Sequence, residues 1–444
     1  MRRTWMLLAV ALVAAVSMLS PAVAEPVGLP PAVGGALASD NVELVASIPD
    51  VPAIGGRFIG DTLYVTTSQG LRIYDTGTAD GIPIPMGALE LPHFENEDVD
   101  TDGDILLISA DHLLGLNILY VIDVSNPMLP TIVGTSLNNS AGHTVSCIPF
   151  EGKGCAFAWI AGERSLPIFD LRDPANPVEV GVLDLPRPVD ENDPTCNARG
   201  SHDVQLDDAG IAWISAGGGL FGYEFSNPAA PTLLFENCAA AVEDSSRFNS
   251  NFIIHNSLRP NADQLDPSKL ADGNVDPGEL LIVTEEDYQS FCVDDGAFQT
   301  GWIHEVDGEM QVDRIDSFEL GQGTVIDGAK PTAGFCSSHY FDIRDDGIVA
   351  DAWYEQGIRF LDVSDPRNIQ QVGYFMPAVT EAWRANWHDG LVYTFDAARG
   401  IDVLRFTGAA GDAPVLAPRM NPTTPLFSTP DPQWGFACRR LGVA

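Results

Sequence analysis

Five histidines stand at the beginning of successive short apolar segments, and their side chains are the strongest candidates for chemistry. They are His93, His143, His202, His255 and His339. Imidazole nitrogen is the commonest protein ligand for transition metals, and the geometry of converging imidazoles selects the ion. If the fold brings these segments together, the pattern predicts a site for Cu, Zn, Fe or Mn. The alternative is structural, because a histidine that recurs in a repeat also joins a loop to an acid by a hydrogen bond.

A second set of polar residues lies in loops that we expect to open at the same end of the molecule. It comprises Asp111, Glu163, Arg164, Glu285, Glu286, Asp287, Tyr354, Glu355, Asp396 and Arg399. Carboxylates beside histidines complete mixed metal sites or orient the imidazole rings, and a buried carboxylate can act as a general base. Glu285 and Glu355 are weak candidates for that catalytic role. The alternative is that these acids are ordinary surface residues, with Arg164 and Arg399 as ion-pair partners.

Residues 98–104, which read Asp-Val-Asp-Thr-Asp-Gly-Asp, resemble the start of a calcium-binding loop. The twelfth position is Ser109 instead of glutamate, so the stretch departs from the EF-hand pattern. The sequence favours a β-turn between two strands here, with weak Ca²⁺ binding as the alternative. The chain contains no GxSxG, HExxH or Walker pattern that would indicate another reaction.

The elements that must position these side chains follow from a repeated phrase: an apolar strand, an acid, then an Asn/Asp-Pro turn. It occurs at residues 119–127, 166–174, 221–228 and 358–366, with degenerate copies near 71–75, 301–305 and 401–405. Other alternating segments, separated by Asp/Gly turns, precede and follow each copy. Short alternating segments bounded by Gly, Asp and Pro indicate β-strands. Four strands recurring about every 50 residues predict an all-β chain, a β-propeller of seven blades with four antiparallel strands each.

The phrase resembles the LVIVD repeat, named for the strand that reads Leu-Tyr-Val-Ile-Asp at residues 119–123. Four copies follow the family's pattern closely and three are degenerate, so the resemblance extends over most of the chain. It implies an exported β-propeller of a bacterial or archaeal kind. It implies no reaction, because the family has no established common activity and no catalytic residue carries over from it.

The two ends of the chain and its cysteines predict an exported protein. Residues 1–24 combine two arginines, an apolar stretch and an Ala-Val-Ala cleavage site, which is typical of a signal peptide. We expect a Pro/Gly/Ala-rich linker at 25–41, the propeller at 42–407 and a Pro-rich tail at 408–444. Exported chains favour disulfides, and the hairpin-like spacing favours a bond between Cys147 and Cys155. The spacing assigns no partner to Cys196, Cys238, Cys292, Cys336 or Cys438. The mature protein is then secreted, periplasmic or at the cell surface, without a membrane span.

The composition excludes polyanions as partners. The chain has 62 acidic and 23 basic residues, for a net charge of −39. Binding of nucleic acid depends on Lys and Arg that displace counterions, so this function class is excluded. Two functions remain. One is a binding or interaction protein that takes a small molecule or a protein at the mouth of the propeller channel, with a histidine-lined metal or ligand site there. The alternative is a metal-dependent oxidoreductase or hydrolase that uses the same His/carboxylate site.

Overall fold

The chain folds into seven antiparallel sheets, and together they form the predicted seven-bladed β-propeller. The structure, a computed structural model, describes residues 35–49, 51–91, 97–113, 116–138, 142–162, 165–186, 200–217, 219–238, 248, 250, 253–286, 296–320 and 337–417. At positions 111–113, 116, 138 and 238 it describes the backbone only. The predicted signal peptide therefore lies outside the described residues.

The first two strands of the chain, β1 (Ala36–Ala38) and β2 (Val42–Ile48), join blades that are completed later in the chain. After them, each blade is formed by consecutive strands. Blade 1 contains β3 (Ala53–Ile59), β4 (Thr62–Thr67), β5 (Gly70–Asp75) and β6 (Ile84–Glu90). Blade 2 contains β7 (Asp100–Thr101), β8 (Ile105–Leu113), β9 (Leu116–Asp123) and β10 (Thr131–Asn138). Blade 3 contains β11 (Thr144–Phe150), β12 (Lys153–Ala161), β13 (Ser165–Asp170) and β14 (Val178–Asp184). Blade 4 contains β15 (Ser201–Leu206), β16 (Ile211–Ala216), β17 (Gly219–Glu224) and β18 (Thr232–Cys238).

The remaining blades continue in the same order. Blade 5 contains β19 (Ile253–Leu258), β20 (Leu280–Glu286), β21 (Phe298–Val306) and β22 (Glu309–Phe318). Blade 6 contains β23 (Phe341–Ile343), β24 (Ile348–Ala352), β25 (Ile358–Asp362) and β26 (Gln370–Pro377). Blade 7 contains β27 (Ala382–His388), β28 (Leu391–Asp396) and β29 (Gly400–Phe406). Helical structure in the described residues includes one 3-10 turn, Ala262–Gln264. No described helix has the length and apolarity needed to cross a membrane.

The beginning of the chain completes the last blades. Strand β2 pairs antiparallel with β29, from Val42 opposite Phe406 to Ile48 opposite Ile401, and becomes the fourth strand of blade 7. Strand β1, which lies within the predicted linker, pairs with β26 as a fifth strand of blade 6. The first strand of blade 1, β3, also contacts the first strand of blade 7, β27. The ring is therefore closed by pairing between segments far apart in the sequence.

The acid of the repeated phrase has a local structural role. The side chain of Asp123 accepts a hydrogen bond from the backbone N–H of Ser125 at 3.0 Å, two residues ahead. Asp170, Glu224 and Asp362 each accept the same bond from the backbone N–H two residues ahead. Side chains that bond to the backbone two residues on stabilise turns. This requirement explains why an acid precedes each Asn/Asp-Pro turn.

The apolar core lies between adjacent sheets. Trp159 of blade 3 is fully buried against apolar residues of blade 4, and its indole N–H donates to the carbonyl oxygen of Pro228 at 3.0 Å. The proline turn of one repeat is thus bound by the tryptophan of the preceding blade. This contact fixes neighbouring blades relative to each other, and with them the first strands that surround the centre.

Candidate metal centre

One residue at the start of each innermost strand leaves the regular alternation of the sheet. In blades 1, 4, 5 and 7 the strand register shifts across this residue, as in a β-bulge. A bulge re-aims a side chain out of the alternating pattern. In the other three blades the corresponding residue comes shortly before β7, β11 or β23. In blade order these ring residues are Ile54, Glu97, His143, His202, His255, His339 and Trp383.

Four of the ring residues are histidines whose rings contact one another in sequence order. The ring centroids of His143 and His202 are 4.4 Å apart, those of His202 and His255 4.2 Å, and those of His255 and His339 3.8 Å. All four side chains are at most 1% exposed. The fold therefore brings together four of the five predicted histidines, while His93 lies outside the described residues.

Two glutamates complete the cluster. The Oε2 atom of Glu97 lies 3.2 Å from Nε2 of His255, 3.7 Å from Nε2 of His202 and 3.6 Å from Nε2 of His339. Its Oε1 atom lies 3.6 Å from Nε2 of His143. Glu286, at the end of β20, places its carboxylate oxygens 3.9 Å from Nε2 of His202 and 3.8 Å from Nε2 of His339. Both carboxylates are buried as deeply as the imidazoles.

Backbone carbonyls orient two of the imidazoles. Nδ1 of His202 donates to the carbonyl oxygen of His255 at 3.2 Å, and Nδ1 of His339 donates to that of Trp383 at 2.6 Å. A carbonyl oxygen only accepts, so both Nδ1 atoms carry the proton and both Nε2 atoms present a lone pair. Nε2 of His339 forms no hydrogen bond with any described residue. This tautomer, fixed by an outer hydrogen bond, is the one in which histidines bind metals through Nε2.

Burial acts against protonation of two of the imidazoles, and the histidines act together on the carboxylate of Glu97. Burial, together with the nearby ring of His255, holds the pKa of His202 and His339 well below the usual range. Burial alone would raise the pKa of Glu97, but the charges and hydrogen bonds of the surrounding histidines, His143 foremost, bring it well below its usual range. Neutral imidazoles and ionised carboxylates are the protonation states that bind metal ions.

The spacing of the ligand atoms fits a single ion. Atoms bound to one ion at about 2.1 Å stand about 3 to 4 Å from each other. The observed distance between Nε2 of His143 and Nε2 of His202 is 2.9 Å, and the distances from Glu97 to the imidazoles are 3.2 to 3.7 Å. Glu97, His202 and His255 offer ligand atoms within 4.8 Å of one another, as do His255, Glu286 and His339. A third such group, Asp61, His388 and Asp389, lies at two exposed turns.

Of the other predicted site residues that the structure describes, Tyr354 reaches the cluster. Its hydroxyl donates a short hydrogen bond to Glu286. The Glu285 carboxylate instead accepts the backbone N–H groups of Gly296 at 3.0 Å and Ala297 at 3.4 Å. Glu355 is half-buried in the turn after β24.

Two further predicted residues lie elsewhere in blade 7, where Asp396 caps the segment before β27 and Arg399 pairs with Asp402 at 2.7 Å. Residues Glu163, Arg164 and Asp287 and the side chain of Asp111 lie outside the described residues.

Glu97 was not among the residues predicted from the sequence, although a signal for it exists. The segment Glu97-Asp98-Val99 matches His202-Asp203-Val204, and both precede an Asp/Gly turn and an apolar strand. Aligning the repeats by this tripeptide identifies Glu97 as the ring residue of blade 2.

A second polar layer lies next to the ring residues. Nη1 of Arg384 is 2.7 Å from the Asp98 carboxylate, and the guanidinium lies over the ring of Tyr340 at 4.8 Å. The hydroxyl of Tyr340 donates to Asp203 at 3.4 Å, and the Gln205 amide donates to the same carboxylate at 2.8 Å. Burial, and secondarily the charge of Asp98, raises the pKa of Asp203 to about 7. This layer supports the ring residues from one side.

The stretch that resembled a calcium loop forms a turn and holds a disulfide hairpin. Oδ1 of Asp102 accepts the backbone N–H of Ile105 at 2.8 Å, which closes the turn. The carboxylates of Asp100 and Asp102 accept the backbone N–H groups of Cys147 at 2.8 Å and Cys155 at 2.9 Å. These two cysteines form the predicted disulfide between β11 and β12. The other cysteine side chains lie outside the described residues.

Comparison with known proteins finds one matching family model and several similar solved structures. The sequence model of the LVIVD repeat matches residues 115–137, which span β9 and nearly all of β10. No match was found among curated proteins. Similar solved structures include BamB from Moraxella catarrhalis (10% identity, TM-score 0.44, 82% of this chain and 86% of that chain). Another is the WD40 β-propeller domain of Doa1 (8% identity, TM-score 0.48, 82% of this chain and 97% of that chain). A third is a functionally unknown protein from Desulfotomaculum acetoxidans DSM 771 (12% identity, TM-score 0.47, 72% of this chain and 84% of that chain). The chain thus carries an LVIVD repeat.

Proposed function

We propose that the protein is an exported binding protein that holds one divalent transition metal ion at the centre of its propeller. The ligands are His143, His202, His255 and His339 together with Glu97, and Glu286 stands beside them. The observation that carries the proposal is the convergence of four imidazoles and two carboxylates, contributed by five blades, in a fully buried cluster.

A purely structural hydrogen-bond network fits the distances less well. Among the distances measured between these side chains in the described part of the chain, two are short enough for hydrogen bonds: His143 with His202 at 2.9 Å, and His255 with Glu97 at 3.2 Å. The other distances from Glu97 to the imidazole nitrogens, 3.6 and 3.7 Å, exceed the usual hydrogen-bond range of about 2.7 to 3.2 Å. They agree better with ligands that surround a common ion than with groups that bind each other directly.

Charge balance indicates the class of ion. A buried charge is costly unless it is compensated, and Glu97 and Glu286 bring two buried carboxylates among the imidazoles. A dication neutralises them, whereas a monovalent ion leaves one negative charge. Mixed imidazole and carboxylate ligands suit Fe²⁺, Mn²⁺, Zn²⁺ and Cu²⁺. Ca²⁺ is disfavoured because it prefers oxygen ligands alone.

Export is proposed from two features. The sequence begins with a segment typical of a signal peptide, and the Cys147–Cys155 disulfide belongs to an oxidising compartment. The partner of the metal-loaded protein is then a small molecule or a protein that meets the channel mouth outside the cytoplasm.

A metal-dependent enzyme at the same centre, an oxidoreductase or hydrolase, is the second candidate. It is favoured by Glu286, which lies close to two of the histidines and accepts the Tyr354 hydroxyl, as a positioned base would. Screening the metal-loaded protein for oxidase and hydrolase activity tests it. An activity that Glu286→Gln abolishes without loss of metal would support the enzyme.

Elemental analysis tests the metal site itself. Chelator-treated protein would be reconstituted separately with Fe²⁺, Mn²⁺, Zn²⁺ and Cu²⁺, and the bound ion counted after gel filtration. We expect about one ion per chain, lost in His202→Ala and His339→Ala and retained in His388→Ala, which removes the exposed group at the turns. Circular dichroism would confirm that each variant is folded. Protein that binds no ion, or that loses it only in His388→Ala, would contradict the proposal.

A further inference from the structure

We propose that Tyr354 holds Glu286 outside the coordination sphere and so keeps one position of the metal ion open for a small uncharged ligand, such as a diatomic molecule. The inference rests on the proposed metal site. It concerns what that site does beyond holding the ion.

Tyr354 has a backbone conformation that a bulky residue rarely adopts. Its φ angle is 39°, in the left-handed region. The other described non-glycine residues with positive φ are Glu151, Asn261, Asp307 and Asp389. These are residues of polar turns, and Asn and Asp tolerate this region well. A bulky aromatic residue in this conformation is held there by its surroundings, and such residues cluster at functional sites.

The backbone of Tyr354 is held by hydrogen bonds to both its N–H and its carbonyl group. Its N–H donates to the carbonyl oxygen of Ala382 at 3.0 Å, and its own carbonyl accepts the Ala382 N–H at 3.0 Å. The same carbonyl accepts the N–H of Gly357 at 3.1 Å, within a tight turn. The turn of blade 6 is thereby fixed to the innermost strand of blade 7. These contacts fix the backbone of Tyr354, and its phenol packs against the Trp383 ring with the hydroxyl directed at Glu286.

The two glutamates are placed differently with respect to the histidines. Glu97 approaches the imidazole nitrogens as closely as 3.2 Å, whereas the nearest distances from Glu286 are 3.8 and 3.9 Å. The hydroxyl of Tyr354 bonds to Oε1 of Glu286, the oxygen nearer His339. A carboxylate that accepts this bond has less tendency to coordinate an ion at the same oxygen. The hydrogen bond from Tyr354, and not the distance to the histidines, therefore positions Glu286 as an outer partner and leaves Glu97 as the direct ligand.

Among the residues that the structure describes, the ring residues leave one side of the ion without a protein ligand. Blades 2 to 6 supply a glutamate and four histidines, but blades 7 and 1 supply Trp383 and Ile54. These two pack together with Tyr354 in one buried apolar group. Metal sites that bind external molecules keep such a position open. An apolar wall beside a charge-balanced ion favours an uncharged ligand, and the depth of burial favours a small one.

Nitric oxide binding to the Fe²⁺-loaded protein tests the proposal, because it produces new visible absorption and an electron paramagnetic resonance signal. We expect the wild type to bind nitric oxide and Tyr354→Phe to bind it about tenfold or more weakly, since the freed Glu286 carboxylate takes the open position. In the double variant Tyr354→Phe/Glu286→Ala, binding should return. Tyr340→Phe is the matched control, because its ring also contacts His255 and His339 while its hydroxyl faces Asp203.

The outcomes separate this inference from the metal site. Wild-type protein that holds one Fe²⁺ but binds no nitric oxide would overturn the open position and leave the proposed function intact. Equal binding by wild type and Tyr354→Phe, or no recovery in the double variant, would overturn the role of Tyr354. Protein that takes up no Fe²⁺ or other divalent ion would overturn the proposed function, and this inference with it.

Discussion

Replacing Glu97 with glutamine is expected to weaken Zn²⁺ binding by about a thousandfold. The substitution keeps the size of the side chain and one oxygen ligand but removes a buried charge. Because Oε2 lies 3.2 to 3.7 Å from three Nε2 atoms, an ion bound by those nitrogens lies within about 4 Å of the carboxylate.

The magnitude follows from Coulomb's law with two corrections. Two unit charges about 4 Å apart interact by about 4 kcal/mol at an effective dielectric constant of about 20, so a dication loses about 8 kcal/mol. On binding the ion, wild-type Glu97 gives up its charged hydrogen bond with His255, worth about 1.5 to 3 kcal/mol. The amide oxygen of glutamine also retains part of the coordination. A net loss of about 4 kcal/mol remains, which corresponds to about a thousandfold in Kd.

Isothermal titration calorimetry of chelator-treated protein would measure this change, with competing chelators for the tight wild-type site. Glu279→Gln is the matched control, because Glu279 is equally buried but its carboxylate accepts the Trp302 indole N–H at 3.2 Å, away from the cluster. The control should bind Zn²⁺ as the wild type does. A Glu97→Gln variant with a Kd within about threefold of wild type would refute the assignment of Glu97 as a ligand.

Three further predictions concern stability, measured by denaturant or thermal unfolding. The pKa of Asp203 is raised to about 7, so the folded protein keeps a proton that the unfolded chain loses above about pH 4. The unfolding free energy of the wild type therefore falls between about pH 4 and pH 7. Relative to the wild type, the unfolding free energy of Asp203→Asn should rise by up to about 4 kcal/mol from pH 4 to pH 8. A pH-independent difference would contradict this. Replacing Cys147 and Cys155 with serine should lower the unfolding free energy by about 2.5 kcal/mol, as expected when a disulfide that closes a short loop is removed. An unchanged midpoint of unfolding would contradict a stabilising role of this disulfide. Gly56→Ala should lower the unfolding free energy by about 1 to 3 kcal/mol, because the added Cβ would lie 2.1 Å from the Phe395 ring between blades 1 and 7. An unaltered Tm would show that Gly56 and this ring are not in close contact.

Much of the fold was predictable because its determinants are local. Alternation of apolar residues and the turn chemistry of Asp, Gly and Pro act within a few residues, and they indicated four-stranded units. Hydrogen bonds such as that from Ser125 to Asp123 show the physical reason for the repeated acid. The pairing of Cys147 with Cys155 was likewise predictable, because both lie in one hairpin.

The candidate site was predictable only in part. The recurring histidines were recognised because each occupies the same place in its repeat. Glu97 was overlooked because the ring residue of blade 2 is not a histidine, and only the following Asp98-Val99 reveals the register. No local pattern distinguishes Glu286 from its neighbour Glu285. Adjacent residues of a strand point to opposite faces, and the neighbouring blades decide which face meets the histidines.

The sequence by itself determined the all-β class, the repeat, and the identity of the side chains that begin the inner strands. Only the tertiary structure decided that His143 and His339, 196 positions apart in the chain, surround the same carboxylate. Closure of the ring sets that distance, through the pairing of β2 with β29 and the contact between the first and last blades. Bulges at His202 and His255 then turn these two side chains toward the same point. Both effects depend on contacts between segments remote in sequence, which short-range periodicity does not encode.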